Sequence, residues 1–203
     1  MVGLLRMKSF LGALLVSALF LGGFQPVAAC VGKTLVIGAK GTPQQELLAQ
    51  MLAILIAERT GTSVKVVKFD DTAATHGALM KAELDLYVEY TGVGQLDVLK
   101  GEPQTDASAL YQAVKERYNQ ELNLVWLDPL GFEETEVVPA GVPAQAAPVV
   151  RKDTLKKFPA LARLINKLGG ALSGETMQAL EARLAGEGAR EVARSFLKAG
   201  RFI

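Results

Sequence analysis

Hydrophobic and polar positions alternate along the chain in two different rhythms, and the rhythm changes at turn residues. Thr34 to Ala39 is a short, apolar, partly β-branched run that predicts a buried strand. Thr42-Pro43-Gln44-Gln45 then opens a helix: Thr42 caps it, Pro43 suits the first helical position and Gln45 completes a capping box. Leu47, Leu48, Met51, Leu52, Leu55 and Ile56 mark one apolar face, which ends near Gly61. Ser63 to Phe69 predicts a second strand, Thr72 to Lys81 a short helix, and Leu84 to Tyr90 a third strand. A helix from Ala107 to Gln120 and a strand from Leu124 to Leu127 follow.

This alternation predicts an α/β fold with a mostly parallel sheet flanked by helices. Ligands of such sheets bind beyond the carboxyl ends of the strands. The loops after Ala39, Phe69, Tyr90 and Leu127 are therefore expected to surround any site. Pro139-Ala-Gly-Val-Pro143 breaks the pattern as a turn or linker. Beyond it, Ala147 to Arg151 reads as a strand and the remainder as helix. Asp153 is placed to cap a helix that carries Leu155, Phe158, Leu161, Leu164, Ile165 and Leu168 inward and stops at Gly169-Gly170. A helix beginning at Ser173 and a last one over Ala189 to Ala199 complete the chain.

The first thirty residues follow neither rhythm. Arg6 and Lys8 precede an apolar run from Phe10 to Phe24, and Val27-Ala28-Ala29-Cys30 follows. A basic start, a short apolar stretch and small residues at its end predict a secretory signal over residues 1–30. Cys30 is the single cysteine among 203 residues, so it has no internal disulfide partner. Its setting resembles a bacterial lipobox, which predicts lipidation of Cys30 and an envelope-anchored protein. Ordinary cleavage after Ala29, which leaves a thiol, is the alternative.

Charge and chemistry narrow the function. The chain carries 22 basic and 21 acidic side chains, and two of the basic ones, Arg6 and Lys8, belong to the leader. The remainder is slightly acidic, which argues against nucleic acid as a partner. His76 stands alone without the further ligands of a zinc site. No nucleophile has a histidine partner beyond it, so the sequence reads as non-enzymatic, without cofactor or metal. Asp70-Asp71 reads as a turn and Trp126 as core.

Several segments carry a resemblance. Ile37-Gly38-Ala39-Lys40 before a helix containing Gln45, the tetrapeptide Glu89-Tyr90-Thr91-Gly92, the segment Leu124 to Pro129, and Gln145 to Asp153 occur in this order. Together they resemble the substrate-binding proteins of glycine betaine/choline (osmoprotectant) ABC importers, across nearly all of residues 33–199. The resemblance implies a type II periplasmic-binding-protein fold, whose two lobes close on the solute, and a membrane permease as partner. It also implies that only one lobe is present here. Residues 31–136 and 145–203 correspond to that lobe, and a short linker, 137–144, stands where the family carries a second domain.

The family's site is an aromatic cage around a quaternary ammonium. By resemblance Tyr90 is its tyrosine, Thr91 follows in the same motif, and Gln45 matches a ligand-contacting glutamine. Glu136 stands where the family has a second cage tyrosine, Val93 replaces a threonine, and Ala144 replaces an aromatic. The residues themselves leave alternatives open. Tyr90 is a binding ring or a strand-end tyrosine packed under a loop, and Gln45 is a ligand contact or a cap. Glu133, Glu134 and Glu136 attract a cation or form a solvated acidic loop.

One exposed cation–π contact contributes about 0.5–1 kcal/mol, whereas micromolar binding requires about 8 kcal/mol. A monomer with one ring needs something to cover it: the permease, or a second copy in a homodimer. Two functions therefore remain. The first is the solute-binding component of an ABC importer, with degenerate or partner-dependent binding of a quaternary-ammonium or other cationic solute. The second is a non-transport envelope interaction or scaffold protein that reuses one lobe.

Overall fold

The structure, a computed structural model, describes residues 34–203. The leader and Cys30 lie outside the described residues. Five strands form one sheet: β1 (Leu35–Ala39), β2 (Val64–Lys68), β3 (Leu86–Tyr90), β4 (Leu124–Trp126) and β5 (Ala146–Arg151), in the order β2-β1-β3-β5-β4. β1 runs parallel to β2 and β3, but β5 is antiparallel to both of its neighbours. The sheet is thus mixed, where the alternation of elements predicts a mostly parallel one. The reason lies between Trp126 and Ala146. That stretch contains a 3₁₀ turn at Thr135–Val137 but no crossover helix, and without one the chain returns in the opposite direction.

Pro148 sits inside β5, opposite Val88. Its carbonyl accepts from the Leu127 amide at 2.8 Å, so its nitrogen faces the side on which β4 has already ended. The ring therefore removes no ladder hydrogen bond to β3.

Side-chain alternation along β3 and β5 builds two cores. Leu86, Val88, Ala146 and Val150 face one layer, together with α1 (Pro43–Thr60) and the C-terminal helices. Tyr87, Ala147 and Val149 face the other, together with α2 (Thr72–Met80) and, after the single turn α3 (Thr91–Val93), α4 (Ala107–Glu121). Trp126 belongs to this second core, edge-on to Tyr118 at 5.3 Å between ring centroids. His76 joins the same layer, with Nδ1 3.3 Å from the Tyr87 hydroxyl. Burial lowers its pKa below the ordinary value, and the Glu89 carboxylate partly opposes that shift.

α1 is buried on more than the one face that its strongest periodicity marks. Ala49, Ala53 and Ile54 are buried along with the expected stripe. The helix lies between the sheet and the helices α6 (Leu161–Ile165), α7 (Gly174–Glu187) and α8 (Ala189–Ala199), and a helix covered on opposite sides must be apolar around most of its circumference. Thr42 accepts the Gln45 amide at 3.2 Å as expected, and Gly61 closes the helix in the left-handed region at φ 69°.

The segment after β5 departs from the single helix expected there. α5 (Lys152–Lys157) ends at Phe158, α6 follows at Leu161, and a 3₁₀ turn reaches Leu168. Pro159 supplies the physical reason, because it lacks a donor and disfavours helix in the residue before it. Asp153 does not cap α5 but sits in its first turn, paired with Lys156 at 3.2 Å. Ser173 does cap α7, accepting from the Thr176 amide at 3.1 Å.

The chain closes across the residues that flank 134–144. Glu133 and Gln145 form an antiparallel bridge. Around it the Ala146 amide donates to the Phe132 carbonyl at 3.1 Å, and the Glu134 amide donates to the Ala144 carbonyl at 3.0 Å.

Candidate functional site

A cavity of about 850 Å³ opens beyond the carboxyl ends of β1, β2 and β3. All four loops expected at a site contribute to it, three of them directly after their strands: Lys40 to Thr42 after β1, Asp70 to Thr72 after β2, and Val93 and Asp97 after Tyr90. The fourth, after Leu127, starts away from the cavity because β5 stands between β3 and β4, and it reaches the lining only through its distal part, Glu134, Glu136 and Val137. The remaining wall comes from the acidic segment Glu134–Val137 and from α7 through Glu181, Leu184 and Ala185.

The first two loops touch closely. A Cβ at Gly41 would lie 2.9 Å from the Asp70 carbonyl oxygen, so only glycine permits this approach. Asp71 accepts the Ala74 amide at 2.7 Å and caps α2, as its turn position suggests. Asp70 lines the cavity.

Lys40 and Glu89 form an ion pair at the floor, the carboxylate fully buried. Lys40 also stands 4.7 Å from the centroid of the Tyr90 ring. Tyr90 itself is only 4% exposed. Its hydroxyl donates to the side-chain oxygen of Gln44, and the Gln44 amide nitrogen donates to Glu134 at 2.9 Å and to Glu181 at 2.6 Å. One glutamine thereby links the tyrosine to carboxylates from two distant segments. Burial pushes the Tyr90 hydroxyl well above its usual pKa; the Gln45 amide, near the hydroxyl but outside hydrogen-bond geometry, opposes this, and the surrounding carboxylates reinforce it.

Gln45 lines the cavity beside Tyr90. It is 2% exposed, and neither atom of its amide has a hydrogen-bond partner. The reciprocal half of the expected capping box is therefore not made, although the Thr42 half is. Glu136 also lines the cavity. Thr91 is buried away from this lining: its hydroxyl donates to the Pro143 carbonyl at 3.3 Å and accepts from the Gln145 amide at 3.0 Å. The next residue, Gly92, is pressed against the same loop, since a Cβ there would lie 2.7 Å from the Pro143 oxygen. The second half of the tetrapeptide thus anchors the 139–145 loop.

Site reasoning from the sequence overlooked Lys40, Gln44 and Glu181 as lining residues. Lys40 was accessible to it, as the first residue after β1 at the carboxyl edge. Glu181 carries no local signal, because α7 is brought to the cavity from 137 positions beyond Gln44. Among the described residues no group of three or more His, Cys, Asp or Glu side chains is arranged to hold a metal ion.

The α/β fold places a pocket beyond its strand ends, and comparison with known proteins gives the class of protein. The family described as the substrate-binding domain of the ABC-type glycine betaine transport system matches residues 33–140 and 137–199. The chain belongs to this family. It is 35% identical over 127 residues to the ergothioneine transport permease/ergothioneine binding protein EgtU of Helicobacter pylori, covering 62% of this chain and 22% of that protein. It is 29% identical over 149 residues to the carnitine transport binding protein OpuCC of Listeria monocytogenes, covering 71% of this chain and 45% of the relative. The chain thus spans less than half the length of these relatives. Among solved structures, one described as a glycine betaine/carnitine/choline ABC transporter superposes with a TM-score of 0.78 at 18% identity, over 84% of this chain and 99% of that one. Apo YehZ from Escherichia coli gives 0.73 at 19% identity, over 85% and 100%. At such identities these two matches speak for the fold.

Proposed function

We propose that this chain is the solute-binding component of an ABC importer for an osmoprotectant-type solute, exported to the cell envelope and held there through Cys30. The observation that carries the reading is the cavity beyond β1, β2 and β3, lined by Gln45 and Tyr90 of the family motifs. Its volume of about 850 Å³ suits a small solute.

The lobe is proposed to stand alone. The family match falls in two pieces that meet at residues 137–140, and the backbone closes across Glu133 and Gln145. An open single lobe lacks the jaw that expels water from a bound solute. In this reading the permease, or a second copy of the chain, covers the cavity and completes the site.

The acidic wall and the single, covered ring favour a second reading, in which the lobe is an envelope interaction module. Two measurements separate them. Capture of the full chain from solubilised membranes should recover ABC permease subunits, and deletion of the gene should lower uptake of at least one labelled solute among glycine betaine, choline and agmatine. Normal uptake and capture without a permease would sink the importer reading.

A further inference from the structure

The charge of the cavity is lopsided. Asp70, Asp71, Asp97, Glu134, Glu136 and Glu181 all line it, against Lys40 as the one basic lining residue. Lys40 is already paired with the buried Glu89. Among the described residues none of the six carboxylates pairs with a basic side chain. Beside them Gln45, 2% exposed, lines the cavity with an amide that has no partner at either atom. A buried amide left unpaired is costly, and a ligand that hydrogen-bonds to it removes that cost.

We propose that the solute taken by this cavity is an organic cation with N–H donors, a guanidinium or primary ammonium compound. This rests on the solute-binding reading and names its substrate class. A quaternary ammonium has no N–H and is held by several ring faces. Here the cavity is lined by one ring, Tyr90, 4% exposed with an ammonium already beside it. A betaine brings in addition a carboxylate, which would meet six like charges and a lysine already neutralised by Glu89.

A guanidinium or ammonium, by contrast, finds acceptors. Glu134 and Glu181 lie 2.9 and 2.6 Å from the same Gln44 nitrogen, so their bonded oxygens converge on one point. Each carboxylate offers about four acceptor directions, which leaves capacity for charge-assisted bonds to a ligand. The Gln45 oxygen can accept a further N–H. Tyr90 takes a positioning part, holding Gln44 between the two carboxylates through its hydroxyl.

The test is titration calorimetry of the full chain in detergent with agmatine, choline and glycine betaine as probes. Agmatine is expected to bind with a micromolar constant, about tenfold or more tighter than either of the others. The Glu134→Gln/Glu181→Gln variant, altered only at partly exposed positions, should weaken agmatine by about tenfold or more. Gln45→Leu should also weaken it while raising the melting temperature, a combination that a misfolded variant cannot give. Tighter binding of choline or betaine than of agmatine overturns the ligand class and leaves the importer reading standing. Agmatine affinity indifferent to the Glu and Gln variants overturns the site. Silence from all three probes overturns the proposal, and the importer reading then falls only if permease capture also fails.

Discussion

The ammonium of Lys40 lies 4.7 Å from the centroid of the Tyr90 ring while its charge is paired with Glu89. The ring that the family resemblance assigns to a solute therefore already has an internal cation against it. A second cation on that face would be repelled by the first. This relationship shifts attention from the face of Tyr90 to its hydroxyl, and from the ring to the carboxylates that the hydroxyl organises through Gln44.

Breaking the buried pair should be costly. Glu89→Gln leaves the ammonium of Lys40, whose side chain is 9% exposed, without its counter-charge, and Lys40→Met leaves a fully buried carboxylate alone. Each should destabilise the chain by about 3–5 kcal/mol, whereas the double variant Lys40→Met/Glu89→Leu should recover most of the loss. Urea unfolding of the three variants measures this, and additive losses would contradict a coupled pair.

Tyr90→Phe keeps the ring and removes the donor to Gln44. Stability should fall by about 1–2 kcal/mol, and Tyr90→Ala should lose more because it also opens a cavity. Thermal melts distinguish the two contributions. Equal losses would mean that the hydroxyl contributes nothing beyond the ring.

Gly92→Ala tests whether the tetrapeptide serves the fold. A methyl group at 2.7 Å from a backbone oxygen forces the 139–145 loop outward, so a destabilisation of about 1–3 kcal/mol is expected. Hydrogen exchange at the Gln45-facing wall should stay unchanged, whereas the Gln145 amide, bonded to Thr91 at 3.0 Å, should exchange faster.

All four tyrosines are buried, and burial raises the pKa of each. Tyr111 is the least affected, at about 12. The unfolded chain loses these protons near pH 10, so folding is favoured below that pH and weakens as pH rises above it. Ultraviolet titration of the folded chain should show no tyrosinate near pH 10. A normal tyrosinate transition there would refute the buried placements.

His76 produces the opposite limb. Its pKa is lowered by burial, so the unfolded chain takes up its proton first, near pH 6.5. Its contribution is complete above that pH and is lost as pH falls towards the lower folded value. Replacing it with Gln should flatten the acid side of the stability profile between neutral pH and about pH 5. An unchanged acid limb would place the sensitivity elsewhere.

Local order was legible because it depends on neighbours in sequence. Short strand-like runs between turn residues placed all five strands, Thr42, Gly61 and Ser173 marked helix ends, and the motifs around Tyr90 and Gln145 carried the family. These features rest on backbone geometry and on side chains within a turn of one another. The break at Pro159 was equally local, but the apolar residues on both sides of it masked it.

Tertiary structure alone decided the rest. β5 runs antiparallel because no crossover helix precedes it, and that choice leaves only the distal part of the loop after Leu127, Glu134 to Val137, at the cavity. Gln44 meets Glu181 and Lys40 meets Glu89 across 137 and 49 positions. No periodicity records such encounters, because a side chain's partner across a cavity is set by how the layers pack and not by the residues beside it. The sequence by itself determined the family and the strand-and-helix order; packing determined that the cavity is acidic, that its ring is covered, and that Gln45 waits without a partner.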